Sequence, residues 1–254
     1  MNKYKTICIS DLHLGSKDSK THLLLNFLKH NSAENLFLVG DIIDGWKVQQ
    51  KKWKWNQEHT NCIRKILSHA KNGTNVVYII GNHDEFLRSV HGFDLALGSI
   101  TITNRHEYTA INGKKYLVIH GDIFDGILKY HKWLSFLGDN LYEFILTLNT
   151  HLNWIRHKIG FGYWSFSKYL KLTVKKAVQF IVNYEYNMID YCKRKGYDGV
   201  ICGHIHHSEI KSIDGIDYMN DGDFVESCTA LVEEYNGNWK IITWNKIHEN
   251  THHH

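Results

Sequence analysis

Short apolar runs alternate with amphipathic stretches through the first 125 residues of the chain. The stretches Thr21–Lys29 and Asn56–Ala70 place their apolar residues on one face at helical spacing, which predicts two helices. The sequence Asn112-Gly113 predicts a hairpin turn between Tyr108–Ile111 and the run that follows it. Strands that alternate with helices favour a layered α/β fold. The runs of buried-strand length are Lys5–Ser10, Leu36–Val39, Val76–Ile80 and Lys115–Ile119.

The pattern changes at 127–195, where β-type alternation stops and helical spacing takes over. Three lysines, Lys168, Lys171 and Lys175, lie at the same spacing on another face. We interpret 127–195 as a helical insertion, or cap, within a core formed by 1–126 and 196–247. The apolar face of this segment is predicted to comprise Phe166, Leu170, Val174, Ala177, Ile181, Tyr184 and Met188.

After residue 196 the β-type runs return, separated by turn signals. Asp214-Gly215 and Asn236-Gly237 predict hairpin turns between consecutive runs. Because the chain has no proline, glycine and asparagine must mark its turns. Residues 248–254 are expected to be a tail whose last histidines resemble part of a purification tag. The predicted strands are Gly199–Cys202, Glu209–Ile213, Ile216–Asn220, Ser227–Tyr235 and Trp239–Thr243.

Composition agrees with a globular protein, since 43% of the 254 residues are hydrophobic and 22% are charged. No uncharged apolar run reaches the ~18 residues needed to span a bilayer. The N-terminal sequence lacks the apolar region and cleavage site of a signal peptide, which favours a cytoplasmic protein. Five cysteines, odd in number and never in a Cys-x-x-Cys pair, fit reduced core thiols better than disulfides.

Charge is distributed unevenly along the chain. Residues 127–195 hold eleven Lys or Arg and four Asp or Glu, a net charge of +7, whereas the whole chain carries +4. The remainder is therefore about −3, and it contains the acidic motifs described next. This separation supports two functional units, a core and an insertion.

Five short polar motifs each follow directly on a predicted strand. Open α/β sheets bind ligands at the carboxyl ends of their strands, so we expect the five loops to converge. Imidazole and carboxylate groups without thiolates suit Mn, Fe, Zn or Ni better than a structural zinc site. The motifs are Asp11-Leu12-His13, Gly40–Asp44, Gly81–Asp84, His120–Asp122 and Gly203–His206.

Each motif has a structural alternative when it is taken alone. An Asp-x-His pair is common, and a Gly-Asp-x-x-Asp stretch is often a loop with a helix N-cap. Gly81–Asp84 also fits an Asx-type turn, and Gly203–His206 fits two hydrogen-bonded histidines in a chain that has 19. The occurrence of all five in order, each after an apolar strand, favours one metal site.

In this order and context the five motifs resemble the calcineurin-like metallophosphoesterase superfamily, and the resemblance spans residues 5–245 apart from the insertion. It implies a four-layer α/β/β/α sandwich and two divalent cations, Mn²⁺ by family expectation, with Fe or Zn as alternatives. Two such cations polarise the phosphoryl oxygens and activate a water for in-line attack. The family pattern assigns one metal to Asp11, His13, Asp41 and His206, and the other to Asp41, Asn82, His120 and His204, with Asp41 bridging.

The same resemblance gives His83 a different role, as a catalytic residue that meets the substrate phosphate or protonates the leaving oxygen. Asp44 is expected to orient His83, as carboxylates do in other Asp–His pairs. For Asp84 and Asp122 two roles stay open, a hydrogen bond to a ligand or stabilisation of their own loops.

Within the superfamily, the chain is most similar to the UDP-2,3-diacylglucosamine hydrolase group. The stretches Gly40–Trp46 and Gly81–Arg88 carry this likeness, together with the helical insertion. That hydrolase cuts the diphosphate of a lipid-bearing UDP-sugar in lipid A synthesis, and its insertion covers the acyl chains. This chain has His83 where the hydrolase typically has arginine, which marks a sister branch. The expected reaction is hydrolysis of the diphosphate of a UDP-sugar lipid or a similar amphiphile.

The insertion is compatible with more than one partner. It holds Trp133, Trp154 and Trp164, and no acidic residue interrupts the basic stretch 156–176. Such a segment suits an anionic membrane surface, which would make the protein peripheral on the inner membrane, or a diphosphate clamp. An ordinary helical cap with a solvated lysine face is the structural alternative. A second group of tryptophans near Lys47–Lys54 either gates the cleft or packs beneath the cap; it comprises Trp46, Trp53 and Trp55.

Three rival functions stay open. The chain could be a phosphodiesterase or phosphatase acting on nucleotides or another soluble phosphoester, although its modest charge disfavours nucleic acid. It could be a protein phosphatase, or a non-catalytic scaffold with this fold. The complete ligand set together with His83 disfavours a scaffold. The exact substrate, the native metal and the oligomeric state do not follow from the sequence.

Overall fold

The computed structural model describes residues 2–90, 96–97, 100–124, 158 and 183–244. The chain divides into two compact units, Met1–Phe124 with Asn187–His254, and Asp125–Tyr186. Of the predicted insertion only 158 and 183–195 are described, and 183–195 are helical. The insertion therefore stays a prediction, and its basic stretch, its three tryptophans and the tail 248–254 lie outside the described residues.

The larger unit contains a sheet of seven strands in the order β12-β11-β1-β2-β3-β5-β4. Four of these strands, β1, β2, β3 and β5, run parallel, whereas β11 pairs antiparallel with β1. The strands are β1 Asn2–Ile9, β2 Asn31–Val39, β3 Asn75–Ile79, β4 Ala96–Leu97, β5 Ile100–Thr103, β11 Thr229–Glu233 and β12 Trp239–Thr243.

A second sheet has five strands in the order β6-β7-β8-β10-β9. Its central strands β7, β8 and β10 are parallel, and the predicted hairpin at Asn112-Gly113 joins β6 to β7. The strands are β6 His106–Thr109, β7 Lys115–Val118, β8 Gly199–Cys202, β9 Glu209–Ile213 and β10 Ile216–Asn220.

Helices connect the parallel strands. α3 starts with a capping box, in which Asn56 Oδ1 accepts from the His59 backbone N–H and the His59 ring accepts from the Asn56 N–H. α2 starts at Asp44, whose carboxylate accepts from the Lys47 N–H. The helices before residue 125 are α1 Thr21–His30, α2 Gly45–Gln49 and α3 Gln57–Lys71, with 3₁₀ turns at Glu85–Val90 and Asp122–Phe124.

Two hydrophobic cores define the layers. In the first, Phe27 of α1 and Ile66 of α3 pack with Leu38 on one face of the seven-stranded sheet. In the second, Phe37 from that sheet packs with Tyr116 from the other sheet. Each such side chain stabilises the fold by about 1.5–3 kcal/mol through burial. The predicted α/β/β/α class is confirmed as a mixed α/β fold with two packed sheets flanked by helices. All five cysteines are free and buried.

A polar cluster crosses the interface between the sheets. Glu233 of β11 is fully buried and accepts hydrogen bonds from Thr6 Oγ1 at 3.0 Å, Tyr108 OH at 2.5 Å and the Ile111 N–H at 2.9 Å. The carboxylate thus satisfies two buried hydroxyls and one partly buried backbone N–H.

Replacement of Glu233 by alanine is expected to lower the free energy of unfolding by about 3 kcal/mol. The reason is that two buried hydroxyls and one partly buried N–H lose their acceptor, and an unsatisfied buried donor costs roughly 1–3 kcal/mol. Urea denaturation measures this loss, with Glu234→Ala as the matched control. The side chain of Glu234 is about one-third exposed and pairs with Lys240 at the surface, so its removal should change the urea midpoint far less. Equal midpoints for the two variants would contradict the structural role of Glu233.

Candidate metal centre

The five polar motifs lie where five strands end. β1, β2 and β3 of the first sheet end at Ile9, Val39 and Ile79, directly before the first three motifs. β7 and β8 of the second sheet end at Val118 and Cys202, directly before the other two. The polar loops of both sheets therefore lie at the carboxyl ends of strands, which is where open α/β sheets bind ligands.

The backbone of these loops is unusual. Asp11, His13, Asp41, His204 and His206 all have positive φ angles between 44° and 72°, a region that residues other than glycine rarely occupy. Hydrogen bonds between loops hold this conformation: the Asp11 N–H donates to the Gly40 carbonyl and the His13 N–H to the Asp41 carbonyl, both at 3.0 Å. Such strain persists where the surrounding structure fixes it, which is common at functional sites.

Glycines leave room for the polar side chains. A Cβ at Gly81 would lie 2.2 Å from Asp41 Oδ1, and a Cβ at Gly40 would lie 2.4 Å from the His120 ring. A Cβ at Gly203 would lie 2.2 Å from Ser10 Oγ. These positions accept only glycine because the carboxylate and imidazole groups are packed directly against the backbone.

One group of ligand atoms gathers around Asp11. Its Oδ1 lies 3.1 Å from His206 Nε2 and 3.7 Å from His13 Nε2. Potential ligand atoms of the three residues all lie within 4.8 Å of one another. The geometry brings together three of the four residues that the sequence assigns to the first metal.

A second group gathers around His120, whose Nε2 lies 3.4 Å from Asp41 Oδ1. The His120 Nδ1–H donates to the Val39 carbonyl at 2.8 Å, so Nε2 carries the lone pair that a cation needs. The His204 ring lies 4.9 Å from the His120 ring, and ligand atoms of Asp41, His120 and His204 lie within 4.8 Å of one another. Asn82 lies on the adjoining loop, next to His83.

Asp41 is common to both sides of the centre. Its Oδ1 faces His120, and its Oδ2 lies 3.9 Å from His13 Nε2 and 3.8 Å from His83 Nε2. The carboxylate is nearly fully buried. This position between two groups of histidines is the one that a bridging ligand occupies in a two-metal site.

The chemistry of these atoms fits divalent cations. In the part of the chain that the structure describes, Asp11 Oδ1, Asn82 Oδ1 and His120 Nε2 are buried without a hydrogen-bond partner. Buried polar atoms normally have partners because an unsatisfied one is costly. Oxygen and nitrogen atoms of this kind, buried without a hydrogen-bond partner, suit divalent metals that accept imidazole and oxygen ligands.

The electrostatics of the centre also favour bound positive charge. Burial alone raises the pKa of the Asp41 carboxyl, but the neighbouring histidines, His120 foremost, together outweigh it and bring that pKa to about 2. Burial lowers the pKa of His206, but the neighbouring carboxylates, Asp11 foremost, together outweigh it and raise that pKa to about 9. The carboxylates thus draw protons onto the histidines, and divalent cations would replace those protons.

His83 and Asp44 form a pair beside this centre. The His83 Nδ1–H donates to Asp44 Oδ1 at 3.0 Å, while the His83 Nε2 faces Asp41 Oδ2 at 3.8 Å. Atoms of His13, Asp41 and His83 also lie within 4.8 Å of one another, so distance alone would admit His83 as a metal ligand. The family pattern instead assigns His83 to contact with the substrate. This role of His83 stays a prediction.

Two acidic residues whose roles were open prove to hold loops. The buried Asp84 accepts hydrogen bonds from the Ile42 and Ile43 N–H groups at 3.0 and 2.8 Å, which fixes the loop of Asp41. Burial, reinforced by Asp41, raises the pKa of Asp84 to about 7. Asp122 accepts a hydrogen bond from Arg88 Nη2 at 2.7 Å and so ties two neighbouring loops together.

Sequence reasoning missed a supporting pair behind Asp11. Ser10 Oγ lies 2.6 Å from Asp11 Oδ2 and 2.7 Å from Asp221 Oδ1. The Ser10 hydroxyl is placed to donate to either carboxylate, and burial raises the pKa of the Asp221 carboxyl well above its usual value. The available signal was a sixth polar stretch at a strand end, 221–223, directly after β10.

Comparison with known proteins places these motifs in a family context. The family model described as calcineurin-like phosphoesterase matches residues 4–208. A curated UDP-2,3-diacylglucosamine hydrolase of Blochmanniella pennsylvanica (strain BPEN) is 28% identical over 118 residues. That match covers 45% of this chain and 45% of the relative, so the chain spans about half the length of this relative.

Solved structures with a similar fold share less sequence with the chain. A novel archaeal phosphodiesterase is 13% identical with a TM-score of 0.42, over 94% of this chain and 98% of the other. Vacuolar protein sorting 29 from Cryptosporidium parvum is 11% identical with a TM-score of 0.42, over 93% of this chain and 94% of the other.

Proposed function

This chain belongs to the calcineurin-like phosphoesterase family, whose members are metal-dependent hydrolases, and from that premise we propose that it cleaves the diphosphate bond of an amphiphilic nucleotide sugar. One observation carries the phosphoesterase part of the proposal. Asp41 lies between two groups of histidines, within 3.4 Å of His120 Nε2 on one side and 3.9 Å of His13 Nε2 on the other.

The proposed ligand sets use the atoms that the centre brings together. Two bound cations would polarise the phosphoryl oxygens and lower the pKa of an attacking water. Manganese is proposed for both positions, and metal analysis of the purified protein would distinguish it from iron or zinc. The first set is Asp11, His13, Asp41 and His206, and the second is Asp41, Asn82, His120 and His204.

His83 is proposed to handle the proton of the leaving group. As water attacks phosphorus and the bond to the leaving oxygen breaks, the His83 Nε2–H is transferred to that oxygen. The proton that the attacking water releases then restores the imidazole to its starting form. Asp44 Oδ1, 3.0 Å from Nδ1, orients the ring.

The rim of the centre supports an amphiphilic substrate. Three metal loops each continue into a helical turn that carries exposed apolar side chains: Trp46 and Val48 after Asp41, Phe86 after His83, and Ile123 after His120. Exposed apolar side chains that follow closely on the polar loops suit a ligand with an apolar part. The relative named above is a hydrolase of an acylated UDP-sugar, so UDP-2,3-diacylglucosamine is the substrate that we propose.

We expect hydrolysis of UDP-2,3-diacylglucosamine to exceed that of a UDP-sugar without acyl chains by roughly 100-fold or more in kcat/KM. The reason is that burial of only four methylenes against the rim, at about 0.8 kcal/mol each, gives a factor of that size. Release of UMP measures the rates, with an aryl phosphodiester as a generic substrate.

Paired variants test whether the rim gives this preference. Ile123→Ser should reduce the preference for the acylated compound, whereas Ile210→Ser, at an exposed apolar position on β9, should not. Equal rates with and without acyl chains would exclude the lipid and favour a soluble nucleotide or another phosphoester. Purification without any bound metal would favour a non-catalytic scaffold.

Membrane association is a separate part of the proposal. Among the described residues, no helix is long and apolar enough to cross a bilayer. We propose that the protein is cytoplasmic and reaches its lipid substrate as a peripheral protein of the inner membrane, with 127–195 as its helical insertion, or cap. Cosedimentation with anionic vesicles at low and high salt tests this proposal.

A further inference from the structure

Three consecutive residues, Asp44, Gly45 and Trp46, hold His83 at three different points. The Asp44 carboxylate accepts from the His83 ring, and the Gly45 N–H donates to the His83 carbonyl at 3.1 Å. The Trp46 indole stacks on the face of the His83 ring, with centroids 3.9 Å apart and planes 29° from parallel. We call Asp44–Trp46 the His83 clip.

Glycine at the centre of the clip is required by space. A Cβ at Gly45 would lie 2.7 Å from the His83 carbonyl oxygen and 2.7 Å from the Phe86 ring. Any larger residue would push α2 away from the His83 loop. Since Trp46 follows directly in α2, the close approach at Gly45 sets the height of the indole above the imidazole.

A second ring restrains His83 from another side. The His13 ring meets it edge-on, with centroids 4.5 Å apart and planes at 84°. The imidazole thus has one face against Trp46, an edge contact with His13 and a hydrogen bond from Nδ1 to Asp44. Together these contacts restrain both its tilt and its rotation. The side chain of His83 is only 18% exposed, and its Nε2 faces the Asp41 carboxylate.

We propose that Trp46 is a positioning residue, which fixes the plane of the His83 imidazole so that Nε2 points at the leaving oxygen. This inference rests on the role proposed for His83 above. Asp44 alone fixes one atom of the ring and leaves rotation about the Nδ1 contact free. The stacked indole removes that freedom, and a stacked pair of rings contributes enough to change a rate by up to about 10-fold.

The test uses two aryl phosphodiesters that differ in the leaving group. Proton transfer matters for a phenolate, which is a poor leaving group, and little for a p-nitrophenolate, which departs without a proton. Trp46→Ala is therefore expected to lower kcat about 10-fold for the phenyl ester, with kcat for the nitrophenyl ester and both KM values nearly unchanged. Trp46→Phe should restore most of the loss because a phenyl ring still stacks.

The matched control is Trp55→Ala. Trp55 is 37% exposed, as Trp46 is, but it stacks on Trp53 and His59 rather than on His83. This variant should leave both substrates unaffected. Equal losses of kcat for the two esters in Trp46→Ala would contradict positioning, and a rise in KM alone would assign Trp46 to substrate binding instead.

An NMR measurement on the metal-free protein tests the geometry independently of turnover. The carbon-bound ring protons of His83, identified by their absence in His83→Gln, should resonate upfield because of the indole ring current. They should move downfield in Trp46→Ala and stay upfield in Trp46→Phe. Unchanged resonances in Trp46→Ala would overturn the proposal. Because the aryl esters need no acyl chain, failure of the lipid substrate would leave this test intact.

Discussion

Asp41→Asn is expected to lose both metals together and to lower turnover by about 10³-fold or more, which corresponds to roughly 4 kcal/mol of transition-state stabilisation. The physical reason is that Asp41 is the carboxylate shared by the two histidine groups. Asparagine keeps the volume and the oxygen that accepts from the His83 N–H at 2.8 Å. The substitution thus removes the charge and leaves the loop in place.

Elemental analysis of metal-loaded and dialysed protein measures the stoichiometry. Wild-type protein should retain two ions per chain, and Asp41→Asn should retain neither after the same dialysis. Asp214→Asn is the control, since Asp214 is an exposed carboxylate paired with Lys193. Loss of one ion with the other tightly held would show that Asp41 serves a single site and does not bridge.

Much of the fold follows from local sequence. Four strands begin and end where the sequence predicts, namely β8, β9, β10 and β12. Turn signals such as Asp214-Gly215 and Asn236-Gly237 mark the ends of apolar runs in this part of the chain. β2 begins at Asn31 rather than at the predicted Leu36. Its first residues are polar and pair with the polar start of β1, where Lys5 binds Glu34 at 2.5 Å, so hydrophobicity does not reveal them.

Elements without a strong pattern escaped prediction. β5 has the sequence Ile100–Thr103, too short to show alternation, and β4 has only two residues. α2 has only five residues, and its start depends on the Asp44 cap rather than on helical periodicity. Such elements form because the surrounding tertiary structure holds them, which a single sequence does not display.

The residues of the candidate site also divide into those that the sequence predicts and those that it does not. Its seven proposed ligands and His83 lie in motifs that follow strands, so their convergence was predictable from the rule for strand ends. Asp221 was not, because the Ser10 hydroxyl that links it to Asp11 is 211 positions away in sequence. The sequence places Trp46 in a tryptophan cluster but does not predict its stacking on His83. That stacking depends on the close approach at Gly45, which no motif specifies.

His83→Ala is expected to keep both metals and lose 10²–10⁴-fold in kcat, the range that general acid catalysis typically contributes, as an order-of-magnitude expectation. The metals should stay because none of the proposed ligand atoms belongs to His83. Turnover should fall because the leaving oxygen loses its proton donor. Stopped assays with UMP as product measure kcat, and elemental analysis of the same samples establishes the metal content.

Replacement of His83 by arginine separates the two roles that the ring could have. The related hydrolases typically carry arginine here, and arginine keeps a positive charge near the phosphate but releases no proton at neutral pH. If His83 is an acid, His83→Arg should be nearly as slow as His83→Ala on a substrate with a poor leaving group. If His83 only neutralises phosphate charge, arginine should restore most of the rate. Wild-type turnover in His83→Ala would refute both roles. The contacts of Asp44 and Trp46 with this ring would then have no catalytic explanation.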